Sequence, residues 1–126
     1  HGVGSFSFDV GRKAMDDGFP PDTISSDIHA LGINGPTFDL PTTMSKFLHL
    51  GMPLVDVIAR VTTAPAQAIG WDLGHLSQGA VGDVTVLAEE EGSFELTDAE
   101  DITLVSDKRF VCEATIKDGK LWWKTS

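Results

Sequence analysis

Cysteine is almost missing from this chain of 126 residues: Cys112 stands alone. One thiol cannot close an internal disulfide, so a reducing compartment, the cytoplasm, is the expectation. Cys112 itself reads as a small buried apolar residue. Basic side chains are scarce as well. Nine Lys and Arg face nineteen Asp and Glu, a formal charge of −10, the reverse of the basic face that nucleic acid requires. No apolar run approaches the roughly 18 residues of a membrane span. No basic stretch precedes an apolar core of the kind found in a secretory leader. Repeats and low-complexity tracts are absent. What remains is 41% hydrophobic and 22% charged, suited to one modest soluble domain. Position 1 is His rather than Met, so a processed, cut or longer chain is expected.

The densest chemistry lies in Asp22-Thr23-Ile24-Ser25-Ser26-Asp27-Ile28-His29. Thr23, Ile24 and Ser25 favour a strand, and Pro20 and Pro21 stop whatever precedes it. Asp27 and His29 are two apart, so on an extended chain both face one side. A carboxylate and an imidazole at a strand end can serve as metal ligand, general base or substrate anchor. The plainer alternative is that Asp27 caps the next turn while His29 hydrogen-bonds its own loop.

Around that stretch the chain alternates helix and strand. In His1–Phe8 the Gly2-x-Gly4 pair lacks the third glycine of a dinucleotide-binding pattern. Ser5 or Ser7 can cap a helix over 8–17, with Val10, Ala14 and Phe6 on its apolar face and Gly18 at its end. The strand at 23–26 follows, giving a βαβ rhythm. Residues 30–41 form a long loop of the length that serves sites. Thr42 or Thr43 caps the next helix, which presents Met44, Phe47, Leu48 and Leu50 before Gly51. Pro53 opens another with Leu54, Val57, Ile58 and Val61. A third starts at 63–66 with Ala68 and Ile69 inward, and Gly70 closes it. After Gly70 the texture turns to strands at 84–87, 94–96, 102–105 and 110–116, with an exposed acidic turn at Glu89-Glu90-Glu91-Gly92. Asp118-Gly119 signals a two-residue hairpin. Of Trp122 and Trp123, one should pack inward.

Three segments resemble one family. They are 22–29 with Gly35-Pro36-Thr37-Phe38-Asp39-Leu40, then Val61-Thr62-Thr63-Ala64-Pro65-Ala66-Gln67-Ala68-Ile69-Gly70, then Gly74-x-Leu76-x-x-Gly79-x-x-Gly82-Asp83-x-x-Val86. Together they resemble the C-terminal part of metal-dependent amidohydrolases. The opening His1-Gly2-x-Gly4-Ser5-Phe6-Ser7-Phe8 is similar to the dihydroorotase-related amidohydrolase/deacetylase subgroup.

The resemblance implies an α/β fold: the C-terminal portion of a TIM (β/α)8 barrel in residues 1–70, and part of a small β-sandwich in 71–126. Residues 1–7 would leave strand 7, 8–18 would be helix 7, and 23–26 strand 8. Asp27 then falls at the carboxyl end of strand 8, the face where such barrels place their chemistry. It implies Asp27 as metal ligand and proton shuttle for a water activated by one or two zinc ions. It also implies His1 and His29 beside a small-molecule substrate carrying an amide, ester or cyclic amide bond. The family's His-x-His, its bridging Lys or carboxylate and its strand 5 and 6 histidines have no counterpart here; they would precede residue 1. The chain therefore reads as the last third of an enzyme, inactive by itself, completed by the rest of the enzyme or by self-association. The competing reading is a non-catalytic α/β module that assembles with a partner chain.

Overall fold

The computed structural model describes residues 6–126; the expectations for His1, the Gly2-x-Gly4 turn and a Ser5 cap lie outside them. Four helices, α1 (Phe8–Asp16), α2 (Leu40–His49), α3 (Leu54–Val61) and α4 (Thr63–Ala68), precede three strands, β1 (Val84–Thr97), β2 (Thr103–Lys117) and β3 (Lys120–Lys124). The strands form one antiparallel sheet in the order β1-β2-β3. α2 packs on β2.

Three helices stop by one device. Gly18, Gly51 and Gly70 lie in the left-handed region at φ 83°, 98° and 73°. In each case the next amide reaches back to the last turn: Phe19 N to Ala14 O, Met52 N to Phe47 O, Trp71 N to Ala66 O, at 2.8, 3.1 and 2.9 Å. These bonds satisfy carbonyls that a helix end would leave unpaired. The starts differ from expectation. α2 is capped by Asp39, whose Oδ1 accepts from Thr42 N at 2.7 Å, rather than by Thr42 or Thr43. Those threonines already lie inside the first turn, and Thr42 supplies the amide that needs the cap. Ser7 precedes α1, but its hydroxyl donates to Glu100 at 3.1 Å. The amide of Phe8 is met instead by the distant Asp98 carboxylate at 2.9 Å.

The sheet also departs from its outline in sequence. The four short strands expected between 84 and 116 are two long ones. Glu89–Glu91 is no turn: it pairs with Lys108–Phe110 across the ladder. Its charges are matched there, Glu89 by Lys108 at 2.7 Å and Glu90 by Arg109 at 2.8 Å, which removes the reason to leave the ladder. Besides a shift between Val86 and Leu87, the register shifts just after that run, between Glu91 and Phe94. Arg109 covers the Phe94 ring there at 4.4 Å. Asp118 and Gly119, at φ 49° and 71°, make the expected two-residue hairpin between β2 and β3. Both tryptophans are exposed, Trp122 at 78% and Trp123 at 48%. β3 is one edge of the sheet, and β2 is its main neighbour among the described residues.

Two clusters make the core. Ile24, Met44, Phe47, Met52, Val57 and Phe110 form the larger, and Phe8, Leu50 and Leu96 the smaller. Phe6 packs against both and meets the Phe8 and Phe47 rings at 5.6 and 5.2 Å. Ser45, buried on α2, joins helix to sheet: its Oγ accepts from Phe110 N at 2.8 Å and donates to Pro41 O at 2.7 Å. Ile69, expected inward, is 62% exposed because α4 buries Ala66 and has already ended. Val10 is exposed too, and Phe8 is the buried residue of α1.

Val55, Leu76 and Trp122 leave large apolar side chains in solvent on three separate parts of the surface. Such surface favours association. Expressed alone, the 126-residue chain is expected to self-associate, with a light-scattering mass above 13.5 kDa. A monomer with a cooperative melt would show that it closes its own core.

Candidate functional site

Residues 23–26 approach the site without regular secondary structure. Ile24 and Ser26 turn inward while Thr23 and Ser25 face solvent, the alternation of a strand. They are not in a ladder, however, because no other strand lies beside them among the described residues. The anchor is a helix end: Ile24 N donates to Arg60 O at 2.8 Å. At Asp27 the backbone switches to the left-handed region, φ 50°, which Asp tolerates better than most residues. That switch ends the period-two pattern, so the inference that Asp27 and His29 share a side does not carry through it.

Asp27 and His29 are both exposed. His29 holds its own turn: Nδ1 accepts from Leu31 N at 3.2 Å, and its carbonyl accepts from Gly32 and Ile33. The loop-bonding role set against substrate contact is therefore present in the structure. The remaining histidines are scattered. His49 ends α2, and His75 lies 3.0 Å from Asp72 in the segment before β1. Among the described residues no three His, Cys, Asp or Glu side chains gather as a metal site. Asp27 offers a hard oxygen donor suited to a divalent ion, but one carboxylate is not a metal site, and an ion held there would need further ligands from outside the described residues. Two cavities lie nearby in the fold, and neither is lined by Asp27 or His29. One, about 750 Å³, lies between Pro36, Phe38, Ser45 and the Phe94–Arg109 stack. The other, about 340 Å³, lies between α2, α3 and the approach to β1.

Two charged residues near the loop carry no signal in the sequence. Lys46 is fully buried on α2, and Asp98, just after β1, is buried as well. Lys46 Nζ donates to Pro36 O at 2.8 Å. Desolvation lowers the Lys46 pKa to about 8, against the opposing pull of Asp98. Desolvation pushes Asp98 upward, yet amides from Phe8, Ile102 and Glu100 and the charge of Lys46 outweigh it, and the net shift is downward. A lysine at a helix position reads as solvent-facing; only the fold shows that 46 points inward. Cys112, half-buried, has Sγ 3.7 Å from Ala114 O and Thr115 Oγ1.

The sequence pattern of the amidohydrolase family matches residues 9–122. The chain belongs to the amidohydrolase family, a family of hydrolytic enzymes that are generally metal-dependent. More narrowly, it is 41% identical over 100 residues to a deacetylase from Brucella anthropi, covering 79% of this chain and 25% of that protein. It is 33% identical over 124 residues to a deacetylase from Enterococcus faecalis, covering 97% and 34%. Among solved structures it matches an adenine deaminase with TM-score 0.90 at 32% identity, and a dihydroorotase with TM-score 0.89 at 34% identity. These cover 98% and 96% of this chain and 34% of each structure. The chain thus spans about a quarter to a third of the length of the relatives it matches. No helix among the described residues is long and apolar enough to cross a membrane.

The Lys46 shift has a testable sign. Between the folded value of about 8 and the ordinary 10.5, the unfolded chain binds the extra proton, so this group's contribution to stability rises with pH across that window. It is lost as pH falls through 8, where both states are charged and the burial cost is felt in full. In the intact protein, melting temperature relative to a Lys46→Met variant is expected to climb from pH 8 to 10.5. A flat difference would show that Lys46 does not titrate there.

Proposed function

We propose that this chain is the C-terminal part of a metal-dependent amidohydrolase that hydrolyses an amide, ester or cyclic amide bond, with Asp27 as its contribution to the reacting centre. The observation that carries the reading is the Asp27 segment itself: Ile24 buried and Ser26 half-buried between exposed neighbours, ending in a left-handed carboxylate within the family-matched span. In a whole barrel, 23–26 is strand 8 and gains the neighbours it lacks here. Asp27 then stands at the carboxyl end, with residues 1–70 in the barrel and 71–126 in the small β-sandwich. The deacetylase relatives support an acetyl amide or ester among the possible substrates, and the reducing compartment is the cytoplasm.

Asp27 would hold one or two zinc ions together with ligands outside this chain, and the metal would supply polarisation of water and of the scissile carbonyl. The chain's part is a carboxylate oxygen of Asp27, which holds the ion and carries a proton from the attacking water to the leaving group. His1 and His29 flank the substrate; His29 does so while bonding the turn that follows Asp27. Most ligands lie outside this chain, so by itself it is inactive, and the missing portion of the enzyme is its partner.

Two outcomes test this in the intact protein. Asp27→Asn preserves shape and removes the base, and turnover is expected to fall by at least about a hundredfold, with less zinc retained. Near-normal turnover with full metal content would sink the assignment. For His29→Ala, KM is expected to rise several-fold at similar kcat, roughly the loss of one ground-state contact. Unchanged steady-state constants would leave His29 with its turn alone.

A further inference from the structure

Asp27 sits on a segment held at both ends. Three residues before it, Ile24 N is fixed to the end of α3. Nine residues after it, Pro36 O receives the Lys46 ammonium at 2.8 Å. Between them the turn is bonded to itself: Gly32 N and Ile33 N donate to His29 O at 2.9 and 3.1 Å, and Gly35 N and Phe38 N donate to Gly32 O at 3.1 and 3.3 Å. A displacement at Pro36 is therefore passed on toward His29 and Asp27 rather than absorbed in the loop.

Lys46 is an expensive way to fill space. A methionine has nearly its length and needs no desolvation of charge. What the ammonium does in return is specific. It holds a backbone carbonyl of the loop while facing Asp98. Asp98 is itself fixed by three amides: Phe8 N to Oδ2, and Glu100 N and Ile102 N to Oδ1, each at 2.9 Å. The start of α1, the β1–β2 connection, α2 and the loop are thus linked through one buried pair of opposite charges.

We propose that Lys46 is a positioning residue: by fixing Pro36 against α2 it holds residues 28–36, and through them the left-handed backbone at Asp27. This rests on Asp27 being the metal-binding carboxylate proposed above. Lys46 acts through Pro36, and small displacements of a reacting group are costly to rate.

The test compares intact parent protein, Lys46→Met, Lys46→Arg and Asp27→Asn by hydrogen exchange and by hydrolysis of p-nitrophenyl acetate and N-acetylated amino acids. In Lys46→Met, amide exchange across 28–35 is expected to rise about tenfold or more while that of α3 is unchanged. Its kcat per bound zinc should fall about tenfold or more with KM within about threefold. Lys46→Arg, which keeps charge and donors, should recover part of that kcat. Unchanged exchange across 28–35, or unchanged kcat with only a lower melting temperature, would overturn the proposal. If Lys46→Met does not fold, Lys46→Gln, whose shorter polar side chain withdraws the donor from Pro36, takes its place; parent-like exchange and kcat in that variant would overturn the proposal equally. The Asp27→Asn arm separates the two failures. If that variant is inactive and Lys46→Met matches the parent, Lys46 alone is wrong; if Asp27→Asn is fully active, the reading of Asp27 has failed and the positioning role falls with it.

Discussion

The pairing of α2 with β2 is the constraint on which the rest of the structure depends. Apolar contact through Met44, Phe47 and Phe110 supplies the area. Area alone leaves two surfaces free to slide, and the polar residues between them remove that freedom. Ser45 takes the Phe110 amide, so helix and strand meet at one register. Lys46, the next residue, turns to the loop and to Asp98. Such buried polar contacts add little net stability but are costly to break singly, and so they define one arrangement among many of similar hydrophobic content.

Helix positions were legible in the sequence because their punctuation is local. Gly18, Gly51 and Gly70 each follow an apolar face, and each ends a helix in the structure by the same pair of bonds. Asp118-Gly119 was legible for the same reason. What failed was information that resides across the fold. The Glu89–Glu91 run reads as a solvated turn until Lys108 and Arg109 are seen opposite it. Asp98 reads as a loop acid until Phe8, ninety residues earlier, is found donating to it. Lys46 could not have been singled out, since its burial depends on where Pro36 and Asp98 come to lie.

The candidate site shows the same division. Asp27 was singled out by the carboxylate-imidazole spacing and by the family resemblance, of which the family membership stands. The relation of Asp27 to His29 was not legible, because period-two reasoning assumes an extended backbone and Asp27 leaves it. At 23–26 the strand-like alternation of covered and exposed residues is present and the pairing is absent. A ladder needs two partners, and sequence can report the disposition of only one.

The shift between Glu91 and Phe94 divides the β1–β2 ribbon into two reaches with separate loyalties. Leu87 and Phe110, on one side of it, belong with Met44 and Phe47; Leu96, on the other, belongs with Phe8 and Leu50. Extra residues in one strand add twist and reset which side chains face the core. Gly92 and Ser93 therefore act as a phase adjuster between two hydrophobic centres that a uniform hairpin of this length would serve in a single alternation. Removing one of them would make the ladder regular, leaving 94–97 opposite the same partners, Leu96 on Leu104, and taking out the local twist that the extra residue adds. That one odd residue thus sets the angle between the two reaches, and with it how the Leu96 end meets the helix that Phe8 opens.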